Sequence, residues 1–73
     1  MKTNIFPFRI GEQYELYEFD LKYVKTVFQG NNEYLVYEFI EQREMSLFNV
    51  RVKKVHLYYN ADILSKVIYF LDL

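Results

Sequence analysis

The sequence predicts a mainly β domain: a small antiparallel sheet, or a partly closed barrel, of about five strands. Three observations point there. Drawn as a strand, residues 33–42 are apolar on both sides, with Leu35, Tyr37 and Phe39 on one and Tyr34, Val36 and Ile40 on the other. Only Glu38 interrupts, so this strand belongs in the middle of a sheet. The run Gln29-Gly30-Asn31-Asn32 supplies residues that tolerate the positive φ of tight hairpin turns. The segments around it are rich in Tyr, Phe, Val and Ile, which suit a pleated surface. The rival architecture is α+β, a four-stranded antiparallel sheet with a C-terminal helix at 62–72.

Taken in order, the first element is 1–10, where Ile5, Phe6, Phe8 and Ile10 surround Pro7. Proline lacks a backbone donor, so this is an edge strand or an extended lead-in. Gly11 marks a turn. Residues 14–29 read as strand, because Tyr17, Phe19, Leu21 and Tyr23 alternate with Glu18, Asp20 and Lys22. The adjacent pair Leu16-Tyr17 falls out of phase and marks a break or bulge. A hairpin then joins 22–29 to 33–41. Polar residues 42–46 form the next turn. Residues 47–59 are strand again, with Phe48, Val50 and Val52 on one face. The phase slips at Lys53-Lys54, after which Val55, Leu57 and Tyr59 alternate, and a bulge there re-aims the strand. Asn60-Ala61-Asp62 is a turn or a helix cap. Beyond it, Ile63, Leu64, Val67, Ile68 and Leu71 follow helical spacing, whereas Val67-Ile68-Tyr69-Phe70 is a run of strand formers. Strand is the preferred reading.

Seventy-three residues make one domain, 1–73, near the lower size limit for independent folding. Hydrophobic residues are 52% of the chain and aromatics 21%, more than so short a chain can enclose. An apolar patch left for a partner is therefore expected. There is no cysteine, so a cytoplasmic home is expected rather than a disulfide-stapled secreted one. The first ten residues lack the apolar run of a signal peptide. No stretch of about 18 apolar residues exists, so no membrane span is expected.

Net charge is -1, but it is uneven. Residues 11–44 hold Glu12, Glu15, Glu18, Asp20, Glu33, Glu38, Glu41 and Glu44 against Lys22, Lys25 and Arg43. Residues 45–73 hold Arg51, Lys53, Lys54 and Lys66 against Asp62 and Asp72. Such a split steers partners or pairs copies head to tail.

Catalytic chemistry finds little support. Nucleophilic catalysis needs a nucleophile with a base in reach. The candidates are Thr3, Thr26, Ser46 and Ser65, with the single histidine His56, and no spacing links them. One histidine without cysteine does not make a zinc site. Glu12, Glu15 and Glu18 recur every three residues but lack the glycine and alternate ligands of a calcium loop. No enzyme activity, metal or cofactor is expected.

The functional expectation is a non-enzymatic protein-binding module. It would act by occupying a partner's surface, as an accessory or inhibitory protein of a mobile element does, or it would be a homo-oligomer. Tyrosine is enriched at contact sites, so Tyr14, Tyr34, Tyr58, Tyr59 and Tyr69 are the candidate interface. The alternative is a small β-barrel that binds single-stranded nucleic acid. Arg51, Lys53 and Lys54 would hold phosphates while Phe48 and nearby aromatics stack on bases. An isoelectric point near 5.7 counts against it.

Overall fold

The apolar run at 33–42 becomes β2 (Asn32–Phe39), and both of its edges are paired. The computed structural model describes residues 8–40, 46, 47 and 49–72. β1 (Leu21–Gln29) lies antiparallel to β2, from Leu21 opposite Phe39 to Gln29 opposite Asn32. β4 (Val50–Asn60) takes the other edge of β2, with Leu35 opposite Tyr59 and Glu38 opposite His56. β5 (Ile63–Leu71) pairs along β4, and the two-residue β3 (Ser46–Leu47) folds back on the start of β4. The four long strands form a meander in the order β1-β2-β4-β5. The sheet stays open, with β1 and β5 at its edges, and does not close into a barrel.

The C-terminal segment is strand, not helix. Its helical stripe is divided between the two sides of the sheet. Leu64, Val67 and Leu71 pack with the core, while Ile63 and Ile68 fall on the other face by register. The edge of β4 offers backbone partners along the whole segment, and that tertiary gain outweighs local spacing. The slip at Lys53-Lys54 is a bulge, where the β4–β5 register shifts between Val52 and Lys54. A second shift falls between Tyr23 and Lys25 in β1.

Residues 14–20 are not strand. Two one-turn 3-10 helices replace it, Tyr14–Leu16 and Glu18–Asp20. The Tyr17 N–H donates to the Tyr14 carbonyl at 3.1 Å and the Asp20 N–H to the Tyr17 carbonyl at 2.8 Å. With three residues per turn, side chains three apart share a side. Tyr14 and Tyr17 thus both point at the sheet, which an alternating strand would forbid. The expected edge strand around Pro7, the turn at 42–45 and the aromatic Phe48 lie outside the described residues.

The core forms between the sheet and the segment 8–20. Phe8, Phe39, Val52, Val55, Leu57, Tyr59 and Leu64 are its buried members. Phe8 stands edge-on to Phe39 and Tyr17, and Tyr14 lies against Tyr37 and Tyr59. Such ring pairs add roughly 0.5–1.5 kcal/mol each beyond the area they bury. The segment is tied to the sheet edge through backbone. Gly11 N–H donates to the Leu64 carbonyl, Leu64 N–H to the Glu12 carbonyl and Tyr14 N–H to the Asp62 carbonyl, each at 2.8 Å.

The hairpin turns differ in strain. Between β1 and β2 the positive φ falls on Gly30, at 59°, which glycine adopts without cost. Between β4 and β5 it falls on Ala61, at 51°, and Asp62, at 66°. Two successive positive φ values define a type I′ turn, which favours Asn and Gly. Alanine in that region costs about 1–2 kcal/mol. Ala61→Asn is therefore expected to raise stability by about 1 kcal/mol, or roughly 4–8 °C in thermal midpoint. A midpoint that stays put or falls rejects strain at Ala61.

Candidate binding face

Strand alternation gives the sheet two faces, and the segment 8–20 seals only one of them. Tyr37, Leu57 and Tyr59 point to the sealed face, where Tyr14 lies against Tyr37 and Tyr59. Their neighbours Val36, His56 and Tyr58 point the other way. No described segment packs over that second face, and it is the candidate site.

The bare face is built from rings and lysines. Tyr34 on β2 and Tyr58 on β4 have centroids 6.4 Å apart. His56 on β4 meets Phe70 on β5 at 4.8 Å. Lys66 Nζ stands 4.8 Å over the Tyr58 ring, and Lys54 Nζ stands 4.8 Å over Phe70. At partly exposed sites such cation–π contacts contribute about 0.5–1 kcal/mol. Beneath these groups Val36 is 0% exposed, yet it is not part of the core between sheet and segment 8–20. Lys25 and Tyr58 flank it across the strands.

Charge is divided between the two sides. The segment sealing the core carries Glu12, Glu15, Glu18 and Asp20 against Arg9. By the register of the strands the bare face carries Lys22, Lys25, Lys54 and Lys66 against Glu38, with the Arg51–Asp72 pair at its end. The asymmetry expected between the two halves of the chain is thus an asymmetry between two sides of one sheet. His56 titrates below its ordinary value, because burial disfavours the imidazolium and Lys54 repels it. Glu38, opposite it on β2, partly offsets this, and Lys25 adds to it.

The expected interface residues do not gather. Tyr34 and Tyr58 share the bare face. Tyr59 is 1% exposed and belongs to the core, as do the half-buried Tyr14 and Tyr69 packed against it. Tyr58 and Tyr59 are sequence neighbours and must point to opposite faces. Of the expected phosphate-binding cations, Lys54 lies on the bare face. Arg51 is exposed and stands 3.7 Å from Asp72, a surface pair of little energetic consequence. Lys53 is the exposed extra residue of the bulge. The residues missed from sequence are Lys22, Lys25, Lys66, His56 and Phe70. Their signal was alternation along β1, β4 and β5, readable once the faces are known.

The expected surplus of apolar surface is present, but elsewhere. Phe19 is 90% and Phe28 72% exposed, and Ile10, Leu16 and Tyr23 are also open to solvent. These lie on the sealing segment and on β1.

Among the described residues, the serine and threonine hydroxyls do not assemble around His56; Thr3 lies outside them. Thr26 shares a 2.6 Å hydrogen bond with the Tyr23 hydroxyl, and register places it on the sealed face. Ser65 donates to the Ile63 carbonyl. Ser46 pairs with Arg51 at the far end of β4. Among the described residues no three His, Asp or Glu side chains converge on one point. No helix among them is long and apolar enough to cross a membrane. Compared with protein-family models, curated proteins and solved structures, the chain matches none.

Proposed function

We propose that this chain is a non-enzymatic binding module that works through the bare face of its sheet, occupying a surface of a larger, negatively charged partner. One observation carries the reading: four lysines and two ring pairs share the side of the sheet that the segment 8–20 leaves open. Half-buried rings beside cations supply area and polarity together, the composition of contact sites. A slightly acidic chain attracts a polyanion only where its charges are segregated, and here Glu12, Glu15, Glu18 and Asp20 lie on the segment across the sheet.

Retention on a heparin column tests this. The protein is expected to bind near neutral pH and low salt, despite its net charge of -1. Lys25→Glu with Lys66→Glu is expected to flow through. Glu15→Lys with Glu18→Lys changes net charge by as much in the other direction, on the far side of the sheet, and is expected to elute close to wild type. Wild type in the flow-through would sink the proposal. So would equal and opposite shifts in the two variants, because the field would then be global.

A second reading has its own support. The acidic outer side of the segment 8–20 complements the lysines of the bare face, so copies could stack head to tail. Such contacts build open chains, or rings where the rotation between copies closes. Light scattering at low salt would show masses that grow with concentration, whereas a monomer at all concentrations excludes it.

A further inference from the structure

We propose that the partner of the bare face is single-stranded nucleic acid, an assignment that rests on the binding-module reading above. The rings supply the first reason. His56 and Tyr58 stand two residues apart on one side of β4, about 7 Å along the strand. Each has an aromatic neighbour on the adjoining strand, Phe70 for His56 and Tyr34 for Tyr58. Consecutive unstacked bases can settle on such a pair of platforms, since every base offers a π-face.

The lysines supply the second. Lys66 and Lys54 sit over Tyr58 and Phe70 in the free protein. A base arriving over either ring displaces an ammonium group that remains tethered beside it, within reach of the adjoining phosphate. Lys22 and Lys25 line the other margin, on β1. Glu38 lies between these margins, opposite Lys22 and His56.

Shape supplies the third. Double-stranded DNA is read by a helix or ribbon entering a groove, and no described element projects from this face. An open sheet face instead suits splayed single strands. An acidic protein surface would use the same lysines but would gain only area from the rings.

Fluorescence anisotropy with a labelled oligouridylate of roughly twelve nucleotides tests the assignment, within the span of such sites. The comparison ligands are an oligoglutamate of equal charge and a duplex of equal length. The oligonucleotide is expected to bind at least about tenfold more tightly than either. Four phosphate contacts give a log–log salt slope near -3, so affinity falls roughly fiftyfold between 50 and 200 mM salt. Tyr58→Leu keeps an apolar cover over Val36 and is expected to remove most of the advantage over oligoglutamate while leaving the salt slope. Lys25→Glu with Lys66→Glu is expected to weaken binding at least about tenfold. Circular dichroism and melting confirm that both variants fold.

A further readout is particular to this face. The titratable and charged groups facing His56 are Lys54 on its own strand, Lys25 on β1 and Glu38 on β2, while β5 presents Ile68 and Phe70. A bound polyanion favours the imidazolium, so the histidine pKa followed by NMR is expected to rise on binding. By reciprocity, affinity rises as pH falls through the titration of His56.

Equal binding of oligonucleotide and oligoglutamate would overturn the assignment in favour of an acidic protein surface, with the binding-module reading intact. Duplex binding as tight as single strand would overturn it as well, because stacking would have no part. Self-association that persists while the oligonucleotide fails to bind would identify a second copy as the occupant. Failure of every polyanion, heparin included, would remove both proposals.

Discussion

Leu57→Ala is expected to cost about 3–4 kcal/mol of folding free energy, within the roughly 2–5 kcal/mol seen for deep leucine truncations. Leu57 is 0% exposed and lies on the sealed face of β4, between β2 and β5. Its neighbours across the strands are Tyr37 and Val67. Rings held by several strands cannot collapse into the vacated space, so the cavity persists. A domain of this length has only about 4–11 kcal/mol to lose. Urea denaturation should show the midpoint falling by roughly a third or more. Val36→Ala, equally buried but on the other face, is expected to cost less than half as much. It is flanked across the strands by the longer side chains of Lys25 and Tyr58, which can close over the gap. Equal costs for the two variants would mean that both faces are packed alike, which would also remove the basis for a bare face.

Tyr59→Phe is expected to act in the opposite direction and stabilise the fold by about 1–2 kcal/mol. The Tyr59 hydroxyl is buried and meets no hydrogen-bond partner among the described residues. An unsatisfied buried hydroxyl costs about 1–3 kcal/mol, and phenylalanine keeps the ring without that cost. Burial, with Glu12, Tyr17, Tyr14 and Tyr37 adding to it, pushes the Tyr59 pKa up to about 12 from an ordinary 10.0. Between those values the unfolded chain sheds a proton that the folded chain keeps. Stability therefore falls as pH rises through that window. Burial raises Tyr37 and Tyr69 as well, in the same sense. The phenylalanine variant should lose stability less steeply above pH 10, although these two leave some slope. Denaturant midpoints measured across the alkaline range check both parts. A variant less stable than wild type at neutral pH would show that the hydroxyl has a partner after all.

Much of the sheet was legible in the sequence. The two-sided apolar run gave the central strand, Gly30 gave the first hairpin, and the phase slip at Lys53-Lys54 gave the bulge. That slip also placed Tyr59 with Val55 and Leu57, and hence Tyr58 on the opposite side. A one-residue shift exchanges the faces of everything beyond it, so the bulge decides which tyrosine is available. The segment 14–20 was misread because Tyr17, Phe19 and Leu21 alternate well. The competing signal was a period of three, in Glu12, Glu15 and Glu18 and again in Tyr14 and Tyr17, which is the period of a 3-10 turn. Two faces can be drawn from alternation alone. Which of them receives a cover depends on where a distant segment folds, and no local pattern encodes that. The grouping of Lys22, Lys25, Lys54 and Lys66 was hidden for the same reason, since they come from three different strands.

β1 ends the sheet, and its outward backbone groups have no described strand beside them. Its composition, with Tyr23, Val24, Val27 and Phe28, would suit a cross-β fibril if it lay flat. The register shift after Tyr23 twists it, and Lys22 and Lys25 place ammonium groups where an incoming strand would have to settle. The cations assigned to ligand recognition therefore also act as gatekeepers against aggregation. Replacing them with neutral residues would confound weaker binding with poorer solubility. Glutamate reverses the attraction while keeping a charged guard on the exposed border.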